Sequence, residues 1–217
     1  MKPDLLLYRF CRGAVAGFSR VWWRESIEGS EHIPADGPFV LAPVHRSNID
    51  TLLAATVTRR RMRFMGKDSL WSKRWSAWFL SSLGGFPVHR GTADREALRQ
   101  CEEVLRGGEP LVIFPEGTRR SGPKVLELFE GAAYVAARAG VPIIPVGIGN
   151  SEAAMPKGSK FLKPVRVALI VGPPIIPPPH AEDGARVPRR VVHELTETLG
   201  SELQRLFDLA QVRAGVA

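Results

Sequence analysis

Val44-His45-Arg46-Ser47-Asn48-Ile49-Asp50 stands between two stretches of opposite habit. Before it runs a short apolar segment, Pro38 to Val44, which reads as a buried strand. After it comes Thr51-Leu52-Leu53-Ala54-Ala55, which reads as the opening of a helix. Strand, bend and helix in that order predict an α/β unit, with His45 at the carboxyl end of the strand, where open α/β sheets bind ligands. Asp50 falls on the first turn of the helix, so one bend of chain can return its carboxylate to the imidazole. Such a pairing fixes the tautomer, stabilises the imidazolium and leaves the second ring nitrogen free as a base. The spacing alone also fits a helix cap beside a surface histidine.

Working outward, strands and helices alternate. Phe64-Met65-Gly66 and Phe86 to Gly91 read as short strands, with a helix between them from an Asp68 N-cap to Gly84-Gly85. Ala93 to Arg106 is an amphipathic helix with Ala97, Leu98, Cys101, Val104 and Leu105 inward. Pro110 to Phe114, Ile143 to Ile148 and Val165 to Val171 are apolar strands. Leu128 to Ala139 is helical, and Gly172 to Pro179, with its five prolines, cannot be regular. Residues 187 to 213 form a long helix with Val191, Leu195, Leu199, Leu203 and Leu206 on one face. This order predicts a single α/β sandwich with a largely parallel sheet.

The first 24 residues stand apart. Leu7, Phe10, Cys11, Ala14, Phe18, Val21 and Trp22 share one helical face, and Arg9, Arg12, Arg20 and Arg24 fall opposite. Such a helix suits a membrane interface, and equally a terminal helix packed on the domain with its arginines in water. We divide the chain into this helix, residues 1–24, and a domain over 25–217. Trp71, Trp75, Trp78, Phe79 and Ser82 form another stripe, compatible with core or with a lipid-facing surface.

A net charge of +8 favours an anionic partner without choosing among nucleic acid, anionic lipid and phosphorylated small molecules. Cys11 and Cys101 lack metal-ligand spacing and read as free thiols in a reducing compartment, with no metal site expected. No window reaches the roughly 18 apolar residues of a membrane span, so action on lipids would be peripheral. The aromatics lie in apolar stripes, which argues against a nucleic-acid-binding module. A non-catalytic lipid-binding module remains as an alternative, but it has no use for the His45–Asp50 pairing.

A second stretch, Ile113-Phe114-Pro115-Glu116-Gly117-Thr118-Arg119, sharpens the reading. Together the two blocks resemble the signature of the glycerolipid acyltransferases, over about residues 28 to 172. His45, Ser47 and Asp50 match the family's first block, while Val44 stands where asparagine is usual. The resemblance implies a glycerol-3-phosphate acyltransferase-like sandwich with His45 and Asp50 as the catalytic pair. It assigns Arg119, Arg90 (of Gly85 to Arg90) and Lys67 to the acceptor's phosphate. Glu116 would orient Arg119 or the acceptor's hydroxyl, and Gly117 and Thr118 would offer amides to an anion or oxyanion. Val141, Pro142 and Ile143 resemble the block that borders the acyl-donor pocket, and read equally as a core strand. Glu130 stands where a lysine is common, which removes one positive charge.

The activity implied is acyl transfer from acyl-CoA or acyl-carrier protein to the free hydroxyl of 1-acylglycerol-3-phosphate. Glycerol-3-phosphate or another lysophospholipid is the alternative acceptor. No cofactor is expected beyond the thioester co-substrate. The partners implied are lysophosphatidic acid and an anionic membrane surface, with no nucleic acid, on the cytoplasmic face. A hydrolase with Ser47 as nucleophile fits poorly, since no Gly-x-Ser-x-Gly elbow exists in the chain.

Overall fold

The alternating runs become one seven-stranded sheet. The computed structural model describes residues 3–88, 95–179 and 187–216. The elements in chain order are α1 (Pro3–Trp22), β1 (Ser26–Glu28), β2 (Val40–Pro43), α2 (Asp50–Thr56), β3 (Arg63–Lys67), α3 (Arg74–Ser82), β4 (Gly85–Val88), α4 (Arg95–Arg106), β5 (Leu111–Val112), α5 (Gly131–Ala139), β6 (Ile143–Gly149), α6 (Ser151–Ala154), β7 (Ala168–Val171) and α7 (Arg189–Ala214). The strand order is β1-β7-β6-β2-β5-β3-β4. From β6 through β4 all pairings are parallel, and β7 turns antiparallel to β6. The largely parallel sheet is therefore as predicted, with β1 and β7 reversed at one edge.

Parallel strands need both faces covered, so they read as continuous apolar runs. β2 and β6 are buried at every position. α7 lies directly on β6: a Cβ on Gly147 would stand 2.2 Å from the carbonyl oxygen of Leu206. Only glycine permits that approach. The face of α7 turned to the sheet carries Leu195, Leu199, Leu203 and Leu206, as the periodicity predicts, joined by Phe207 and Ala210.

Three elements differ from expectation. The helix foreseen from Asp68 splits into a 3₁₀ turn, Asp68–Trp71, and α3. The helix foreseen from Leu128 starts at Gly131, because the Phe129 amide donates to the Pro115 carbonyl and not to a helical partner. The tryptophan stripe divides. Trp71 packs on Gly66 and Gly85 and donates its Nε1–H to Ser81 Oγ, while Trp75 and Trp78 face outward.

α1 packs on α2 and α3 by the face opposite its apolar stripe. Tyr8, Ala16, Ser19 and Trp23 are buried, and Arg12 donates to the Thr56 carbonyl at the end of α2 and to the Thr58 carbonyl in the loop beyond it. Tyr8 donates to the Arg60 carbonyl and accepts from the Met62 amide. Arg12 thus leaves the solvated basic face on which the sequence placed it. The apolar stripe points away from the domain: Phe10 is 74% and Val21 81% exposed, with Phe18 and Trp22 also open.

Candidate active site

β2 is the central strand, and the connections from it part to either side. The chain passes through α2 to β3 on one flank and later through α5 to β6 on the other. That makes the carboxyl end of β2 a topological switch point. Val44 keeps one last sheet bond, to the Val146 carbonyl at 3.0 Å, and the chain then bends at His45.

Asp50 holds the bend. Its Oδ2 accepts from the Arg46 and Ser47 amides at 2.6 Å each and lies 3.1 Å from His45 Nδ1. One carboxylate oxygen thus closes the loop and fixes the ring. Asp50 is fully buried, and its Oδ1 bonds to no described group. The imidazole stacks on Phe114, with centroids 4.1 Å apart and planes inclined by 26°. The side chain is 17% exposed, and Nε2 makes no hydrogen bond to a described residue. A ring clamped at Nδ1 with Nε2 open is poised to take a proton. Ser47 donates its hydroxyl to the Met155 carbonyl at 2.8 Å, so that hydroxyl is engaged away from His45.

The second block lies against the first. The Arg120 amide donates to the His45 carbonyl at 2.9 Å. Glu116 is fully buried, and its Oε1 accepts from the His45 amide at 2.9 Å. Both of its oxygens also take Arg46 Nη1, at 2.6 and 2.7 Å. Arg46 in turn donates to the Lys124 carbonyl and lies over the Phe207 ring of α7, 4.8 Å from its centroid. This corrects the expected role of Glu116: its carboxylate is spent on Arg46 and the His45 backbone, not on Arg119. Sequence reasoning missed Arg46. A charge between His45 and Ser47 has no periodic signature, and its partner lies 70 residues away.

Gly117 and Thr118 are also corrected. Their amides donate to the Phe114 and Glu116 carbonyls, so both are consumed by the turn and neither is open to an oxyanion. Gly117 has φ +65°, and a Cβ there would stand 2.6 Å from the Phe129 ring. The turn requires glycine on both counts. Arg119 follows it, half-buried, with no hydrogen bond or ion pair to a described residue. Lys67 is exposed at the end of β3, opposite Val88 of β4 and on the same edge of the sheet as His45. Arg90 lies outside the described residues.

The remaining predicted residues lie elsewhere. Ile143 pairs with Val40, at the start of β2 and away from His45 at its far end. Val141 and Ile143 are buried there and Pro142 is half-buried between them, so the structure does not bring this trio to the dyad. Glu130 precedes α5, 3.9 Å from His193 on α7. Further along the chain from the second block lies a groove of about 1260 Å³, walled by Leu98, Val125, Leu126, Leu128 and Phe129 against α7, with Arg95, Glu127 and Glu130 also on its lining.

A histidine held by a buried carboxylate, with no serine or cysteine aimed at it among the described residues, fits an enzyme that activates a substrate's own hydroxyl. Residues 24–149 match the family model described as Acyltransferase. The 1-acyl-sn-glycerol-3-phosphate acyltransferase of Bacillus subtilis (strain 168) is 27% identical over 202 residues, 92% of this chain and 96% of its own. The enzyme of that name from Streptococcus pneumoniae is 31% identical over 155 residues, 67% of this chain and 55% of its own. The crystal structure of the Thermotoga maritima 1-acyl-sn-glycerophosphate (LPA) acyltransferase, PlsC, matches with a TM-score of 0.72 at 27% identity. That match covers 95% of this chain and 83% of the other. The chain belongs to the acyltransferase family.

Proposed function

We propose that this acyltransferase moves a fatty acyl group from an acyl thioester to the free hydroxyl of 1-acylglycerol-3-phosphate, yielding phosphatidic acid. The observation that carries the reading is His45, clamped at Nδ1 and with Nε2 open among the described residues, one loop away from Arg119, which has no ion-pair partner among them. The names of the Bacillus and Thermotoga relatives support the same acceptor.

In this mechanism Nε2 takes the hydroxyl proton as the oxygen attacks the thioester carbonyl. The C–S bond then breaks, and the proton passes from His45 to the leaving thiolate. Asp50 stabilises the transient imidazolium charge on His45 without taking the proton. Arg119, joined by Lys67, holds the phosphate; a guanidinium fork matches phosphate oxygens. The groove of Leu98, Val125 and Phe129 takes an acyl chain. No cofactor enters beyond the co-substrate, acyl-CoA or acyl-carrier protein.

We place the enzyme peripherally on the cytoplasmic face of the membrane. No helix among the described residues is long and apolar enough to cross a bilayer, and α1 turns Phe10, Phe18, Val21 and Trp22 outward. Purified protein should be incubated with acyl-CoA or acyl-carrier-protein donors and three acceptors: lysophosphatidic acid, glycerol-3-phosphate and a lysophospholipid with a capped phosphate. Phosphatidic acid should form fastest. A preference for either other acceptor overturns the assignment and leaves acyl transfer intact.

A further inference from the structure

Between α6 and β7 the chain runs from Met155 to Val167 with neither helix nor strand. Lys157, Lys160, Lys163 and Arg166 are all exposed along it, and none forms a side-chain hydrogen bond or ion pair with a described residue. The sequence holds no acidic residue between Glu152 and Glu182. Amid these cations Phe161 is 81% exposed and Leu162 38%. A single exposed apolar side chain is ordinary, but Phe161 and Leu162 side by side among cations without partners among the described residues combine the two features that an anionic lipid surface binds.

Two tethers fix where the segment lies. At one end the Ser47 hydroxyl donates to the Met155 carbonyl at 2.8 Å, fastening it to the loop that carries His45. At the other, Trp23 Nε1 donates to the Lys163 carbonyl at 3.2 Å, and the Val167 amide donates to Trp23. The Trp23 ring meets Phe18 edge-on at 5.2 Å, and Phe18 stacks on Trp22 at 6.0 Å. The segment therefore joins the outward apolar face of α1 at one end and the catalytic loop at the other.

We propose that residues 156–163 are a second membrane contact. Phe161 and Leu162 enter the headgroup layer of an anionic bilayer, and Lys157, Lys160 and Lys163 lie on its phosphates. Lysine stems can lie along apolar surface while their ammonium groups stay at the polar boundary. The pairing of four cations with an apolar tip, on an open segment and not in a cavity, selects a lipid surface over a free phosphorylated molecule. The contact rests on the reading of α1 as a membrane helix. It adds that the catalytic loop itself is moored to the surface where a lipid acceptor resides.

The test compares the triple variant Lys157→Gln/Lys160→Gln/Lys163→Gln and Phe161→Ala with wild type, in sedimentation with vesicles of phosphatidylglycerol and phosphatidylcholine. Phe10→Asp and Val21→Asp on α1 are measured in parallel. Each lysine near an anionic surface is worth roughly fivefold in partition, so the triple variant should lose about a hundredfold. Phe161→Ala should lose several-fold, also on vesicles of low charge. Transfer to lysophosphatidic acid embedded in vesicles should fall in step, while transfer to a soluble short-chain acceptor stays at the wild-type rate. Release by the α1 variants alone overturns the loop contact and leaves the α1 reading standing. Release by neither set overturns both. An equal loss on the soluble acceptor, with unchanged partition, overturns the proposal in favour of a role at the site. Melting temperatures within about a degree of wild type verify folding; Phe161→Ala, which removes an exposed ring, keeps the test open should the triple variant fail.

Discussion

Replacing Glu116 by glutamine asks whether that carboxylate serves the substrate or the scaffold. Glutamine keeps an oxygen for the His45 amide but leaves the Arg46 guanidinium, 2% exposed, without its counter-charge. Breaking a buried ion pair by removing one partner costs about 3–5 kcal/mol. For a chain of this length each kcal/mol shifts the melting temperature by about 2–4 °C, so Glu116→Gln should melt roughly 6–20 °C lower. Arg46→Met should do comparable harm by stranding Glu116. The double variant Arg46→Met/Glu116→Gln buries no charge and retains the acceptor for the His45 amide. It should therefore melt well above either single variant. Thermal unfolding of the four proteins gives the coupling directly, and steady-state kinetics on the same samples give the functional half. Because Arg46 adjoins the base and also donates to its carbonyl, stranding the Arg46 charge should distort the loop that carries His45 and lower kcat with little change in the KM for acceptor. Two results would refute the reasoning: destabilisations that simply add, or a Glu116→Gln variant with wild-type melting and a large rise in acceptor KM. The second would return Glu116 to the substrate-facing role that its motif first suggested.

Four further outcomes follow from the same geometry. His45→Ala should lower the rate roughly 10²–10⁴-fold and Asp50→Asn somewhat less, while the double variant should be no worse than His45→Ala alone; losses that multiply would dissolve the pairing. Arg119→Ala should raise the acceptor KM about tenfold or more and leave the donor KM in place, since a charge-assisted fork is worth more than a neutral bond of about 1 kcal/mol; an equal donor effect would move Arg119 to the thioester. Burial pushes the Cys101 thiol up to about 12, so a thiol reagent at about pH 8 should label only the half-buried Cys11 in folded protein, and mass spectrometry showing both modified would contradict the core position. Burial also raises the Glu25 carboxyl above its ordinary 4.5, so its ionisation works against the fold: the stability it contributes is present below the unfolded value and is lost as pH rises through the folded one. Glu25→Gln, which can still accept from Thr56 Oγ1, should accordingly melt higher than wild type near neutral pH, with the difference fading under acid; a lower melting temperature at neutral pH would mean that the attraction of Arg20 and Arg12 prevails.

What the sequence reveals here depends on whether a feature is local. The strand, bend and helix around His45 are local, and so is the Asp50 carboxylate that returns to the ring. The amides of Arg46 and Ser47 on the same oxygen belong to that short span, although no residue type announces them. Arg46 is different. On paper it resembles any surface arginine, and only the fold reveals that β5 sets Glu116 beside it. The turn at Gly117 was legible as a turn but not in its hydrogen bonding. An amide count on the bare sequence leaves Gly117 and Thr118 free, whereas the sharp reversal spends both on carbonyls within the same five residues. The sheet's parallel centre follows from apolar runs that alternate with helices, whereas the reversal of β7 rests on an irregular connection whose path no periodicity encodes.

Periodicity has a further limit, and α1 exposes it. A stripe of apolar residues every three or four positions shows that one face seeks a non-aqueous partner; it does not say which partner. For α7 the partner is β6, and the stripe is buried. For α1 the face that meets the protein is the small and polar one, because Tyr8 and Arg12 bring donors to carbonyls left open at the end of α2 and in the loop beyond it. Once those bonds orient the helix, Phe10 and Val21 must turn outward. An inward polar face and an outward apolar one invert the usual arrangement, and the inversion has a use if the surface that α1 meets is lipid. The same bonds that seat α1 on the domain would then seat the domain on the membrane. Trp23 carries that orientation to Lys163 and, through the segment ending at Met155, to Ser47, two residues from the base.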